Sequence, residues 1–155
     1  MKRVMLSTDE IYNKITDGFN EHTWASELQR YQQRVVNAIH NVHNHHLITQ
    51  TIIDDLPDLS TSSVSKALFK NIPPISVRVC YLYSAFVYVL LSYCGYSPKV
   101  VIGCAYDTSR IEFKNTKDVV NHVWIESEGD IYENFTGVTN IDYRKAVEEF
   151  TVDLS

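Results

Sequence analysis

The segment NHVWIESEGDIYENFTG, residues 121–137, has the alternation and the glycine of a β-hairpin. His122 and Trp124 alternate with Val123 and Ile125, as expected of a strand whose two faces differ. Three of these four side chains suit a protein core, and the fourth is a histidine at the start of the strand. The group that this histidine contacts is therefore the first question that the sequence raises.

The hairpin belongs to a C-terminal region rich in strand signals. Its turn is predicted at Glu128-Gly129-Asp130, and its return strand from Ile131. Lys99 to Gly103 reads as an earlier strand, joined to the hairpin by a polar connection over Asp107 to Asp118. After the hairpin, the Asn-Ile-Asp sequence at 140–142 predicts a last helix that ends near Phe150.

Helical signals dominate the chain before residue 95. Val77 to Tyr93 is apolar nearly all round, which predicts a central buried helix, and Gly95 is placed to end it. Apolar residues at helical spacing predict a long helix from about Thr23 into the forties. Ser7-Thr8-Asp9-Glu10 has capping-box spacing, and a short helix is expected from Ser60 through Phe69.

This order of elements predicts an α+β fold in which an antiparallel sheet packs on the central helix. We expect a single domain over 1–155, with a helical N-terminal region at 1–75 and a core at 76–155. Pro73-Pro74 separates the two regions because neither residue can continue a helix.

Composition restricts the classes of function. The net charge of −5 argues against a nucleic-acid partner, and no segment is long and apolar enough to predict a membrane span. No export signal is visible, so Cys80, Cys94 and Cys104 are interpreted as free thiols of a cytoplasmic protein. His43 and His46 share a helix face without a matching cysteine or carboxylate, so neither a metal nor another cofactor is expected.

Cys80 and His122 form the chemically most suggestive pair. Cys80 is expected in the first turns of the buried helix, where free N–H groups and the helix dipole favour a thiolate. His122 could take and return the thiol proton, and the return strand supplies Glu133 or Asn134 to orient the imidazole. Spacing alone makes this a weak signal, because many proteins contain these residue types.

The ordered set of motifs resembles the transglutaminase-like cysteine-enzyme core over roughly residues 76 to 137. The family's pattern is a cysteine that opens a helix, a glycine after it, a strand ending in glycine, an HxWVE-type strand and an acid on the next strand. This chain matches the pattern with Cys80, Gly95, the strand from Val100 to Gly103 and HVWIE at 122–126. The spacing is most similar to the leader peptidases of lasso-peptide maturation, the microcin-processing B protein branch. The resemblance implies a papain/transglutaminase-like core. Residues 1–75 match no family.

By this resemblance, Cys80 is the nucleophile, His122 the base, and Asn134 falls at the third position, where the family usually has aspartate. Papain-like peptidases use asparagine in this way. Glu133 remains the alternative, because a bulge could bring it to the imidazole. Trp124 and Tyr81 are candidate substrate-binding residues, although core packing explains both equally well.

The implied activity is cysteine-dependent amide hydrolysis of a peptide or protein through an acyl-thioenzyme. A glutamine deamidase or transamidase would use the same residues. A non-catalytic binding module on the same fold is the other alternative, and the unmatched helical region would then dock a protein partner.

Overall fold

The computed structural model describes residues 21–107, 120–134 and 141–155, in which helices are followed by a small antiparallel sheet. This arrangement confirms the predicted α+β class. The helices described are α1 (Glu21–Asn44), α2 (Gln50–Asp54), α3 (Thr61–Asn71), α4 (Pro74–Arg78) and α5 (Cys80–Tyr93). The strands described are β1 (Lys99–Asp107), β2 (His122–Ser127), β3 (Asp130–Tyr132) and β4 (Ile141–Phe150).

Helix α5 is the centre of the core, as its uniformly apolar sequence predicts. Every residue from Tyr83 to Leu91 is buried, so the helix has no solvent-facing side over these turns. Its side chains join one hydrophobic cluster that also contains residues from α1, β1 and β2. Ser84 Oγ adds a polar link, donating to the Val123 carbonyl of β2 at 3.3 Å. The helix is thereby fixed between α1 and the sheet.

Both ends of α5 are set by backbone conformation. Val79 is extended, with φ −108° and ψ 118°, so it separates α4 from α5 and makes Cys80 the first residue of the central helix. At the other end Gly95 has φ +88°, and the Tyr96 N–H donates to the Leu91 carbonyl at 3.0 Å. This is the glycine-terminated cap that the sequence predicts.

The β2–β3 hairpin has a tighter turn than the sequence suggested. Ser127 pairs with Asp130, so the turn contains only Glu128 and Gly129, with φ of 53° and 80°. Two residues at positive φ give the twist that a two-residue hairpin requires. The predicted turn of three residues was therefore one residue too long. With the shorter turn, each residue of the return strand lies on the opposite face of the sheet from the one predicted.

The last element is a strand where a helix was predicted. Ile141–Phe150 forms β4, which pairs antiparallel with β1 in a sheet ordered β3-β2-β1-β4. The buried stretch of β1 lies between β2 and β4, and β4 supplies partners for backbone groups that burial would otherwise leave unpaired. Val147 and Phe150 also pack against the main cluster. Tertiary pairing thus overrides a local helix-start signal.

Some predictions fall on other parts of the chain. The helix start at Ser7-Thr8-Asp9-Glu10 and most of the connection from Asp107 to Asp118 lie outside the described residues. Within the described ranges, no helix combines the length and the apolar character that crossing a membrane would require.

Truncating a fully buried side chain of α5 should lower the stability of the protein. Leu91 is 0% exposed, so Leu91→Ala should lower the free energy of unfolding by about 2–5 kcal/mol through lost apolar contacts and a residual cavity. Urea denaturation measures this change. Leu47→Ala is the control because Leu47 is 45% exposed, and it should cost well under half as much. Equal costs at the two sites would contradict the central position of α5.

Candidate catalytic site at the start of α5

Cys80 lies where the fold leaves backbone donors available. Cys80 is the first residue of α5, and the N–H groups in the first turn of a helix have no carbonyl partner within that helix. The positive end of the helix dipole is directed toward this position. The thiol is half-buried, so a substrate can reach it while part of its surface stays out of water.

His122 is placed by an asparagine that the sequence analysis did not single out. Asn121 donates through its side-chain amide to the Ala105 carbonyl and accepts from the Ala105 N–H, each at 2.9 Å. The Asn121 backbone N–H also donates to the Gly103 carbonyl at 3.0 Å. These three bonds fix the residue before His122 to β1. His122 itself is only 2% exposed.

The imidazole of His122 interacts with both Cys80 and Glu133. Its Nε2 lies 3.6 Å from Glu133 Oε2. Burial is the largest single influence on the His122 pKa and lowers it. The neighbouring Cys80 and Glu133 side chains favour the protonated ring through polar contact and negative charge, outweigh burial and raise the pKa above its ordinary value of 6.5. The site therefore favours imidazolium.

The expected partner of the imidazole was Asn134, and the structure places Glu133 there instead. Asn134 Oδ1 is buried and accepts no hydrogen bond from any residue in the described ranges. The hairpin register explains the difference. Ile125 pairs with Tyr132, so the next pair outward sets Glu133 opposite Trp124, on the side of the hairpin that carries His122. A carboxylate rather than an amide is thus positioned to orient the imidazole.

Trp124 is held against His122 and away from solvent. The two rings stack with centroids 5.9 Å apart and planes inclined by 30°, and the indole N–H donates to Glu126 Oε1 at 3.0 Å. Trp124 is 1% exposed, which leaves almost no surface for a substrate. The structure therefore leaves Trp124 little surface for a direct substrate contact and packs its ring against the imidazole of His122.

One tyrosine lies near the Cys80 thiol and another near the Glu133 carboxylate. The pKa of Tyr31, on α1, is raised first by burial and then by the negative charges of Cys80 and Glu27. Burial, with a smaller contribution from the charge of Glu133, raises the pKa of Tyr83 to about 12. Tyr31 and Tyr83 are thus neutral at ordinary pH, and their hydroxyls can serve only as hydrogen-bonding groups near the site.

Tyr81, the other candidate for substrate binding, follows Cys80 directly and remains half-buried. Its ring lies beneath the guanidinium of Arg34, with 5.7 Å from the Arg34 Cζ to the ring centroid. Tyr81 also lines a cavity between α1 and α5. It is therefore accessible to a ligand, and its role in binding substrate stays a prediction.

The remaining cysteines and histidines have other environments. Cys94 and Cys104 are not joined in a disulfide and are remote in sequence from the start of α5, and burial raises the pKa of Cys94. His43 Nδ1 is hydrogen-bonded with the Tyr93 hydroxyl at 2.7 Å, and His45 Nδ1 with the Asn41 carbonyl at 3.0 Å. Over the described ranges, no three His, Cys, Asp or Glu side chains form a group suited to a metal ion.

No protein-family model, curated protein or solved structure matches this chain. The chemistry of this chain must therefore be inferred from the positions of Cys80, His122 and Glu133.

The pKa of His122 tests the arrangement without a substrate. In an NMR titration, the His122 pKa should lie above 6.5, and Glu133→Gln should lower it because a neutral amide no longer favours imidazolium. Since protonation strengthens this buried contact, the stabilisation from His122 should be complete below the unfolded-state pKa. It should be lost as the pH rises through the raised folded-state pKa. Asn134→Ala is the control and should leave the titration unchanged. A larger effect from Asn134→Ala than from Glu133→Gln would contradict the assignment.

Proposed function

We propose that this protein is a cysteine-dependent amide hydrolase of the peptidase type, with Cys80 as nucleophile, His122 as base and Glu133 as the residue that orients the imidazole. The observation that carries the proposal is the connected set of side chains in which His122 interacts with both Cys80 and Glu133. Nucleophile, base and orienting carboxylate within mutual reach are the arrangement that activated-thiol catalysis requires.

The chemistry begins with transfer of the Cys80 proton to His122. The thiolate sulfur then attacks the carbonyl carbon of an amide, and the carbonyl electrons move onto oxygen. Collapse of this intermediate breaks the C–N bond, and His122 returns the proton to the departing amine. Water, deprotonated by the same imidazole, next attacks the thioester and releases the acid and the free thiol. Glu133 stabilises each imidazolium that forms.

The start of α5 supports this reaction through its backbone. N–H groups of the first helical turn have no partners within the helix, so they can donate to an oxyanion that develops beside the Cys80 sulfur. A donor fixed in a helix needs little reorganisation during the reaction. The oxyanion site we propose therefore includes the Cys80 N–H.

The order of elements also supports a papain/transglutaminase-like core as the finer description of the fold. A helix opens with the cysteine, a strand follows, the next strand opens with the histidine, and the carboxylate comes just after the third strand. A carboxylate, Glu133, lies beside the imidazole, so the asparagine at position 134 does not argue against this description. We therefore favour catalysis over a non-catalytic binding module that retains the same fold. Deamidation and transamidation differ from hydrolysis only in the substrate or the acceptor.

Selective alkylation of Cys80 is the first test of the proposal. At neutral pH, iodoacetamide should label Cys80 faster than Cys94 or Cys104, since Cys80 lies at a helix start beside the His122 imidazole. Mass spectrometry of peptides after timed quenching measures the three rates. His122→Asn should remove most of the difference. Slow labelling of Cys80 in the folded protein would favour the binding module.

The third residue can be tested with an activated ester such as p-nitrophenyl acetate. Glu133→Ala should lower the rate of hydrolysis by more than about tenfold, because the imidazole loses its orienting carboxylate. Asn134→Ala is the matched control on the adjacent residue and should retain most of the rate. Cys80→Ala should abolish it, and circular dichroism should show that each variant is folded. A rate that depends on Asn134 and not on Glu133 would show that Asn134 is the orienting residue.

A further inference from the structure

A cavity of about 540 Å³ lies between α1 and the start of α5. Its walls come from α1, the loop after it, the end of α3, α4 and the first turns of α5. Its lining includes the polar side chains Arg34, Asn37 and Asn41 of α1, the exposed side chain of Leu47, and Tyr81 and Phe86 of α5. We call this cavity the α1–α5 groove.

The groove begins one residue from the proposed nucleophile. Tyr81 and Leu82 both line it, and they follow Cys80 directly in the first turn of α5. A peptide in extended conformation advances about 3.3–3.6 Å for each residue. A substrate whose amide carbonyl meets the Cys80 thiol is therefore close enough to the groove for a side chain one or two residues away to reach it.

The groove has an apolar floor and a polar wall with a single charge. Phe86, Val42 and Ile72 are among the buried side chains of the floor, whereas Asn37 and Asn41 supply exposed amides. Among the described residues that line the groove, Arg34 is the only charged one. Its Cζ lies over the Tyr81 ring, and no carboxylate of the described ranges lies within ion-pair distance of it. As far as those residues are concerned, its guanidinium can donate to a ligand.

We infer that the α1–α5 groove is the specificity pocket of the proposed hydrolase, and that it takes a peptide segment in which a bulky apolar side chain is followed by an acidic one. The inference rests on the proposed function for its choice of a peptide. The apolar side chain occupies the floor, and the carboxylate accepts hydrogen bonds from Arg34. Neighbouring amides of the wall bond to the peptide backbone.

The physical features of the groove favour this occupant over a purely apolar one. Its volume lies within the range of pockets for small ligands and is ample for one large side chain. A planar guanidinium recognises a carboxylate through two parallel hydrogen bonds, and the Arg34 Cζ lies 5.7 Å from the centroid of the Tyr81 ring, within cation–π range. The net charge of the chain is −5, so the chain as a whole repels anions. The positive charge of Arg34 in the groove instead attracts an anionic group of a ligand.

The test measures binding without chemistry. The full chain carrying Cys80→Ala is titrated calorimetrically with acetyl-Gly-Phe-Glu-Gly-amide and with the glutamine analogue, which has the same shape and no charge. The acidic peptide should bind at least about fivefold more tightly. Arg34→Gln should abolish the difference, and Arg34→Lys should keep part of it. Arg30→Gln, one helical turn earlier and already paired with Glu27, should change nothing. Replacing the phenylalanine of the peptide by glycine should eliminate binding.

Three results would overturn the inference. They are equal affinity for the two peptides, an undiminished preference in Arg34→Gln, and no binding of either peptide at millimolar concentration. If the chain dimerises instead and Leu47→Ser abolishes the dimer, the groove is a contact between copies of the chain. Failure of the proposed function is distinguishable from these results. Peptide binding would then persist in Cys80→Ala, while Cys80 of the unmodified chain would show no preferential alkylation.

Discussion

Burial of α5 between α1 and the sheet is the constraint on which the rest of the structure depends. A helix that is apolar on all sides must be covered on all sides, and α1, β1 and β2 together provide the cover. Because Val79 is extended, this buried helix starts abruptly at Cys80. Packing therefore decides the position of the thiol, and the same packing brings β2, with His122 as its first residue, to the start of the helix.

A second constraint selects the carboxylate. The turn at Glu128 and Gly129 is two residues long, and its positive φ angles commit the hairpin to one register. In that register Glu133, not Asn134, is on the side of His122. A turn longer by one residue would place Asn134 rather than Glu133 on that side, because neighbouring strand residues point to opposite faces of the sheet. The electrostatic character of the proposed site, a carboxylate beside an imidazole, thus follows from the length of a turn on the surface.

Much of this could be predicted from the sequence, and the failures have physical causes. The buried helix, its end at Gly95 and the strand character of β2 follow from local patterns. The identity of β4 could not be predicted in this way, because its backbone pairs with β1, a partner distant in sequence. Asn121 likewise gave no signal, since its role depends on two bonds to the Ala105 backbone. A two-residue turn at Glu128 and Gly129 places Glu133 on the same side of the hairpin as His122, so a sequence prediction with that turn favours Glu133 over Asn134.

The central claim is that Cys80, His122 and Glu133 act as one unit. A double-mutant cycle on the rate of Cys80 alkylation by iodoacetamide tests it most directly, with His122→Asn and Glu133→Gln made singly and together. If Glu133 acts through the imidazole, each single change slows alkylation, and the double variant is no slower than His122→Asn alone. Two losses that multiply in the double variant would show independent effects, and rates insensitive to both changes would show that the thiol is not activated. Either result would contradict the account.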